Sequence, residues 1–241
     1  MNIDIASKDE RYLYLCEALK KDGHIARVVS PNEVFSPDAL ILPIKPEHTE
    51  NELYKISKKI SEKTKVLFGG GKLARQIFEH NLYDYSENEY FLGENARITA
   101  EAFLTVWQAS TKASFEGQKI LITGYGRIGK NLAKMLSSLG AKIHVYARRE
   151  ETKKEIKSNG FYSVNLDFAK EADAVINTAP AILFDSKLLL QIPESTKLFE
   201  LASVNGFEKT ERVYFALGLP GKILPKTAAE AIYKSIISFL D

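Results

Sequence analysis

Three glycines, Gly124, Gly126 and Gly129, stand in the stretch GYGRIG with the spacing G-x-G-x-x-G. Three glycines so spaced also arise in ordinary turns, and a strand-to-helix turn without ligand is the competing interpretation. Here the context is that of a ligand site: an apolar run, residues 119–123, precedes the glycines, and the helical stretch RIGKNLAKMLSSLG opens within them. Gly124 then permits the tight turn, Gly126 lets the backbone approach a pyrophosphate, and Gly129 lets the helix pack close to the strand. Free N–H groups at that helix N-terminus face the anion. The expected ligand is a nicotinamide dinucleotide whose pyrophosphate is cradled by Gly124, Gly126, Arg127, Ile128 and Gly129.

The next strand bears on which dinucleotide. An NAD site places Asp or Glu about 20 residues along to bind the ribose 2′-hydroxyl; this strand ends in Tyr146-Ala147-Arg148-Arg149. Glu150 and Glu151 follow as natural first-turn residues of a helix, where they favour the dipole. Arg148 and Arg149 suit a 2′-phosphate, which their planar forks can bind through charge-assisted bonds. NADP is therefore expected ahead of NAD, the alternative being a pair of solvated strand-end arginines.

Two more polar clusters follow apolar strands: Asn177-Thr178-Ala179-Pro180 and Ala202-Ser203-Val204-Asn205-Gly206. Ligands bind at such strand ends in open parallel sheets, although the same residue types also make turns. A third cluster joins Gly218-Leu219-Pro220-Gly221 to Pro225-Lys226-Thr227 at the start of the last helix. Proline there is routine for a helix start, but Lys226 sits against the dipole preference, which makes it a candidate for a substrate carboxylate. None of the four histidines, His24, His48, His80 and His144, follows the last strands of this region. That argues against ordinary hydroxyacid oxidation with a histidine base. No H-E-x-x-H, P-loop or nucleophile elbow occurs, and no metal site is expected.

The elements that must position these residues alternate along the whole chain. Strands are expected at 2–6, 25–29, 39–43, 65–68, 119–123, 143–147, 174–177, 198–201 and 213–217, with helices at 9–22 and 50–62 and after Pro225. Gly23 ends the first helix, and the strand at 65–68 runs into Gly69-Gly70-Gly71. The segment 95–114, apolar on more than one face, reads as a helix packed between layers or domains. The fold class is α/β with two domains, each a parallel sheet with helices on both faces, the second a Rossmann NAD(P)-binding domain. The 241 residues are 45% hydrophobic and 27% charged, with 33 basic and 31 acidic side chains. That balance suggests a small-molecule ligand, with no nucleic acid and no membrane as partner. A single cysteine, Cys16, excludes an intrachain disulfide, and the absence of a secretory leader or long apolar run points to the cytoplasm.

These residues resemble one family, the A subunit of dipicolinate synthase, the enzyme of spore-forming bacteria that makes pyridine-2,6-dicarboxylate. The similar stretches are TAEAFL with Thr99 and Glu101, GYGRIGKNLAKMLSSLGAKIHVYARR, DAVINTAPAIL, LFELAS and GLPGKILPKTAAEAI, with looser likeness forward through DALILP to the first strand. The chain is shorter in its first half than that family, and it has Arg97 and Ile98 where the family has Ile-Pro. The resemblance implies a flavodoxin-like substrate domain, 1–94 completed by 225–241, and a nucleotide domain, 95–224, with the 95–114 helix crossing between them and substrate in the cleft. It implies NADP-dependent oxidation of a dihydropyridine-type dicarboxylate to dipicolinate during sporulation, and a possible partner in the enzyme's B subunit. A homo-oligomer is expected. On this basis Thr178, Ala179 and Pro180 face the ribose side of the cofactor, and Asn95, Arg97, Ser203, Lys226 and Thr227 hold the substrate carboxylates. Glu101 is a candidate base, or else a buried helix residue capping backbone groups. Two other readings stay open: an NADP-dependent oxidoreductase for another small carboxylate, and a nucleotide-binding subunit without catalysis.

Overall fold

The computed structural model describes residues 1–44 and 47–240; Asp241, the end of the expected terminal helix, lies outside them. The chain divides into two compact units, Met1–Asn95 with Pro220–Asp241, and Ala96–Leu219.

The first unit opens with strand β1 (Asn2–Ile5), helix α1 (Arg11–Lys21) and strand β2 (Ile25–Val28). Helix α1 buries Tyr12, Leu15, Cys16 and Leu19, one stripe at helical spacing; Leu15 and Leu19 each contribute about 1.5–3 kcal/mol by leaving water. It stops at Gly23, whose φ of 87° only glycine adopts without cost. The Gly23 and His24 amides return to the Lys20 and Leu19 carbonyls at 3.1 Å each. Next come β3 (Ala39–Ile41), α2 (Glu50–Ser57), β4 (Lys65–Phe68), α3 (Lys72–Ile77) and β5 (Leu82–Asp84). Helix α2 begins with a reciprocal cap between Thr49 and Glu52. It ends five residues before the expected Glu62 because Ser61 and Thr64 form their own turn: the Ser61 amide donates to Thr64 Oγ1, whose hydroxyl donates to the Pro37 carbonyl. All five strands are parallel, in the order β2-β1-β3-β4-β5, a flavodoxin-like arrangement.

Helix α4 (Glu89–Thr111) contains the division between the units. It starts earlier than its apolar pattern suggests, because Asn88 Oδ1 accepts the Phe91 amide at 3.2 Å and Phe91 is buried, while Gly93 in the second turn weakens the local helix signal. Within the second unit, α4 sets Phe103 edge-on to Phe199 with centroids 5.1 Å apart, and stacks Trp107 on Phe115.

The second unit continues with β6 (Lys119–Thr123), α5 (Arg127–Ser138), β7 (Lys142–Tyr146), α6 (Glu150–Ser158), β8 (Tyr162–Ser163), β9 (Ala174–Asn177), α7 (Ser186–Leu189), β10 (Lys197–Glu200) and β11 (Val213–Phe215). Its six strands are parallel in the order β11-β10-β9-β6-β7-β8, the doubly wound dinucleotide-binding order with its reversal between β6 and β9. Leu121, Val175 and Leu198 form one row across the sheet and face Ala169, Phe184, Ile192 and Phe207. The chain then returns to the first unit through the short α8 (Leu219–Ile223) and α9 (Pro225–Leu240), which packs on α1. Both sheets carry helices on both sides.

His144 on β7 stacks on Phe168 at 3.9 Å and on Tyr162 at 4.9 Å. Burial holds its pKa below the ordinary imidazole range, with a small opposing effect of the Lys142 carbonyl. A histidine whose folded pKa is depressed contributes stability above its unfolded pKa, and loses it as pH falls through the folded value. Thermal melts from pH 7.5 to 5 are therefore expected to fall more for the unaltered chain than for His144→Phe, which keeps the stack and does not titrate. Parallel curves would show that His144 does not couple to folding.

Candidate nucleotide site

Strand β6 delivers the chain into the turn at its carboxyl end. Gly124 has φ 91°, and its amide donates to the Tyr146 carbonyl at 3.0 Å. A Cβ on Gly124 would lie 2.9 Å from Thr178 Oγ1 and 3.1 Å from the Ala179 nitrogen, and one on Gly129 would lie 2.3 Å from the Gly124 carbonyl oxygen. Gly126 has nothing within 4 Å of such a carbon. Gly124 and Gly129 are thus closed by the protein's own backbone, while Gly126 opens outward. Gly126 is the N-cap of α5 and offers no side chain to the first turn, so the positive end of the helix dipole stands at the glycine turn.

A pocket of about 490 Å³ lies over this turn, lined by Gly124, Tyr125, Gly126, the end of β7 from Tyr146 to Arg149, Thr152, and the stretch from Thr178 to Ala181 with Leu183. It occupies the carboxyl ends of β6, β7 and β9, at the point where the strand order reverses, which is where ligands bind in such sheets. Arg148 and Arg149 are exposed there, and no acidic side chain pairs with either among the described residues. The acid next to them, Glu150, is held by Lys153 at 2.6 Å, which draws its pKa down. Arg149 is the N-cap of α6 and makes no cap bond with its side chain. A cationic pair, a helix N-terminus and the Thr152 side chain therefore meet at one end of the pocket. Tyr125 forms part of its wall and is fixed by the Asn159 amide, which donates to its hydroxyl at 3.1 Å.

The opposite wall is held by a buried polar network. Thr178 donates its hydroxyl to the Thr123 carbonyl at 2.9 Å and to the Gly124 carbonyl at 3.3 Å, so this side chain clips the glycine turn to the end of β9. Thr123, Asn177 and Glu200 end β6, β9 and β10 side by side, and none is more than 1% exposed. Burial pushes the Glu200 carboxyl up, opposed by N–H donors from Gly206, Asn177, Ala202 and Leu201.

The pocket thus gathers Gly124, Gly126, Arg148, Arg149, Thr178, Ala179 and Pro180 as expected neighbours, while Arg127, Ile128 and Gly129, in the first turn of α5, do not line it. Tyr125, Tyr146, Thr152 and Leu183 join them with no signal in the sequence to announce it. In the second unit Glu101 pairs with Arg97 at 2.7 Å across one helical turn and is exposed. That corrects the expectation of a buried capping glutamate: residue 101 falls on the outer side of α4, between buried Ala100 and Ala102. Ser203 is exposed in the loop after β10. In the first unit Asn95 is half-buried on α4, and Lys226 and Thr227 lie in the first turn of α9, Lys226 exposed. Gly221, of the Gly218–Gly221 cluster, packs against the Arg11 guanidinium, which Asp9 holds in a bidentate pair.

Fold and site together define an α/β chain of two units whose second is a doubly wound domain of the dinucleotide-binding type. Residues 94–191 match the family model described as D-isomer specific 2-hydroxyacid dehydrogenase, NAD binding domain. The particular protein to which the chain is similar is the A subunit of dipicolinate synthase. It is 29% identical to the Bacillus subtilis (strain 168) protein of that name over 149 residues, 57% of this chain and 50% of the relative, so the match spans half the length of that curated protein. Among solved structures, the A subunit of dipicolinate synthase from Bacillus halodurans has a TM-score of 0.82 at 22% identity, covering 99% of this chain and 97% of that one. Its Bacillus subtilis counterpart scores 0.79 at 21%, covering 100% and 95%. The apo D-lactate dehydrogenase of Escherichia coli scores 0.67 at 10%, covering 100% and 96%. Likeness at these identities shows the fold. Among the described residues no helix is long and apolar enough to cross a membrane.

Proposed function

We propose that the chain oxidises a dihydropyridine-type dicarboxylate to dipicolinate with NADP, as the A subunit of a cytoplasmic dipicolinate synthase active in sporulation. The observation that carries this reading is the pairing of a glycine-turn pocket with two uncompensated arginines, in a chain similar to the A subunit of dipicolinate synthase. When bound, NADP accepts a hydride. The residues here fit such a group: the open face of Gly126 leaves room for a pyrophosphate, and an acid in the position of Arg148 or Arg149, as an NAD ribose would favour, is absent.

In this reading Gly124, Gly126, Arg127, Ile128 and Gly129 bind the pyrophosphate, Arg148 and Arg149 the 2′-phosphate, and Thr178, Ala179 and Pro180 the ribose of the nicotinamide half. Asn95, Arg97, Ser203, Lys226 and Thr227 bind the substrate carboxylates. Glu101, which pairs with Arg97 at 2.7 Å, takes the proton that leaves the ring as the ring loses its hydride. Aromatisation supplies the driving force, so the protein's share is alignment and proton acceptance. A homo-oligomeric assembly and a flavoprotein-like B subunit complete the proposal.

The test is an absorbance assay for dipicolinate, using purified chain, freshly made product of dihydrodipicolinate synthase, and NADP or NAD, with and without a B subunit. Product with NADP is expected, and dependence on the B subunit would show who completes the site. NADPH binding without product in any combination discards the substrate and keeps the nucleotide site. An NADP-dependent oxidoreductase for another small carboxylate would follow.

A further inference from the structure

Glu200 is 1% exposed, and its partners are all N–H groups. Asn177 Nδ2 donates to both of its oxygens at 2.9 Å, the Ala202 amide to Oε1 at 2.7 Å and the Gly206 amide to Oε2 at 2.6 Å. Both oxygens are used as acceptors, so the site fits a carboxylate. A protonated acid or an amide at this position would set a hydrogen against an N–H. Asn177 passes the constraint on: its Nδ2 also donates to the Ala179 carbonyl at 3.1 Å, and its Oδ1 accepts the Ala179 amide at 3.2 Å and the Thr123 hydroxyl at 2.6 Å. Ala179 and Pro180 line the nucleotide pocket. The loop after β10 is seated on the same amide, since a Cβ on Gly206 would lie 2.3 Å from Asn177 Nδ2. A buried charge is costly unless hydrogen bonds compensate it, and here every compensating bond pins one of the two loops.

We propose that Glu200 is a positioning residue for the nicotinamide half of the dinucleotide: through Asn177 its carboxylate fixes the Ala179 and Pro180 wall of the pocket. This rests on the reading of that pocket as a dinucleotide site. The adenosine end, at Arg148, Arg149 and Thr152, hangs on β7 and α6 and does not depend on Glu200.

The two ends can be separated with NADPH and with 2′,5′-ADP, which carries the adenosine half alone. Glu200→Gln is expected to raise the Kd for NADPH about tenfold, the scale of a lost hydrogen bond to a charged group, and to leave that for 2′,5′-ADP within about twofold. Thr123→Val removes one donor to Asn177 and keeps the carboxylate. It is expected to show the same selectivity with a smaller loss, about threefold, and it carries the test alone if Glu200→Gln does not melt as a folded protein. A folded variant that loses both ligands equally, or neither, overturns the proposal. An unaltered chain that binds neither ligand overturns the dinucleotide reading and this proposal with it, a result separate from a failure of selectivity.

Discussion

Arg148→Ala is expected to weaken NADPH binding by about tenfold to a hundredfold, the range of a hydrogen bond to a charged group, while NADH binding stays within about twofold. The basis is the charge balance at the end of β7. Arg148 and Arg149 face the pocket, and the carboxylate best placed to neutralise them, Glu150, is paired with Lys153 instead. The N-terminus of α6 adds its partial positive charge without a side-chain cap. A dianionic phosphate accepts charge-assisted bonds from these donors that are stronger and more numerous than those a neutral ribose hydroxyl accepts. Because both arginines are exposed, the preference for NADPH is expected to shrink as salt rises, and Arg148→Ala with Arg149→Ala should abolish it. Fluorescence titration of each cofactor at two ionic strengths measures both effects. Equal losses for NADPH and NADH would mean that the arginines act on the adenosine moiety in general and the 2′-phosphate assignment is wrong.

The legible parts of this molecule are those in which one residue type answers one local demand. Strand β9 is found at its expected bounds because an interior parallel strand is an unbroken apolar run. The glycine turn and the arginines fall at one pocket as expected because spacing along the chain sets where they stand at the ends of β6 and β7. Strand β8, two residues long, and strand β5, three half-buried residues at a sheet edge, have too little pattern to register, and the six residues of α3 bury only Ala74. Thr123 and Glu200 read as ordinary strand residues. Only strand register, which sets Thr123 beside Asn177 and Asn177 beside Glu200, turns three separate positions into one network. Tyr125, Thr152 and Leu183 share a pocket for the same reason: three strand ends converge there, and no spacing in the sequence encodes the convergence. Glu101 shows the converse, since of its two readings the buried capping residue fails where helix phase puts the side chain outside.

The glycine turn itself separates a role in folding from a role in binding, because its three glycines differ in what surrounds them. At Gly129 an added methyl would meet the Gly124 carbonyl oxygen at 2.3 Å. That oxygen cannot retreat easily: Thr178 bonds it, and the Gly124 amide is tied to β7. Gly129→Ala must therefore lift α5 from β6, at a cost of about 1–3 kcal/mol as for other overpacked cores, with loss of NADPH binding as a consequence of distortion. At Gly126 the backbone has φ −83° and open space, so alanine fits the folded chain. Gly126→Ala is expected to melt like the unaltered protein and yet to bind NADPH at least about tenfold more weakly, since its methyl stands where the pyrophosphate must approach. Melting curves and NADPH titrations of the two variants measure the contrast. A Gly126→Ala protein with unchanged affinity would place the pyrophosphate elsewhere, and the glycine turn would then be a joint between β6 and α5 and nothing more.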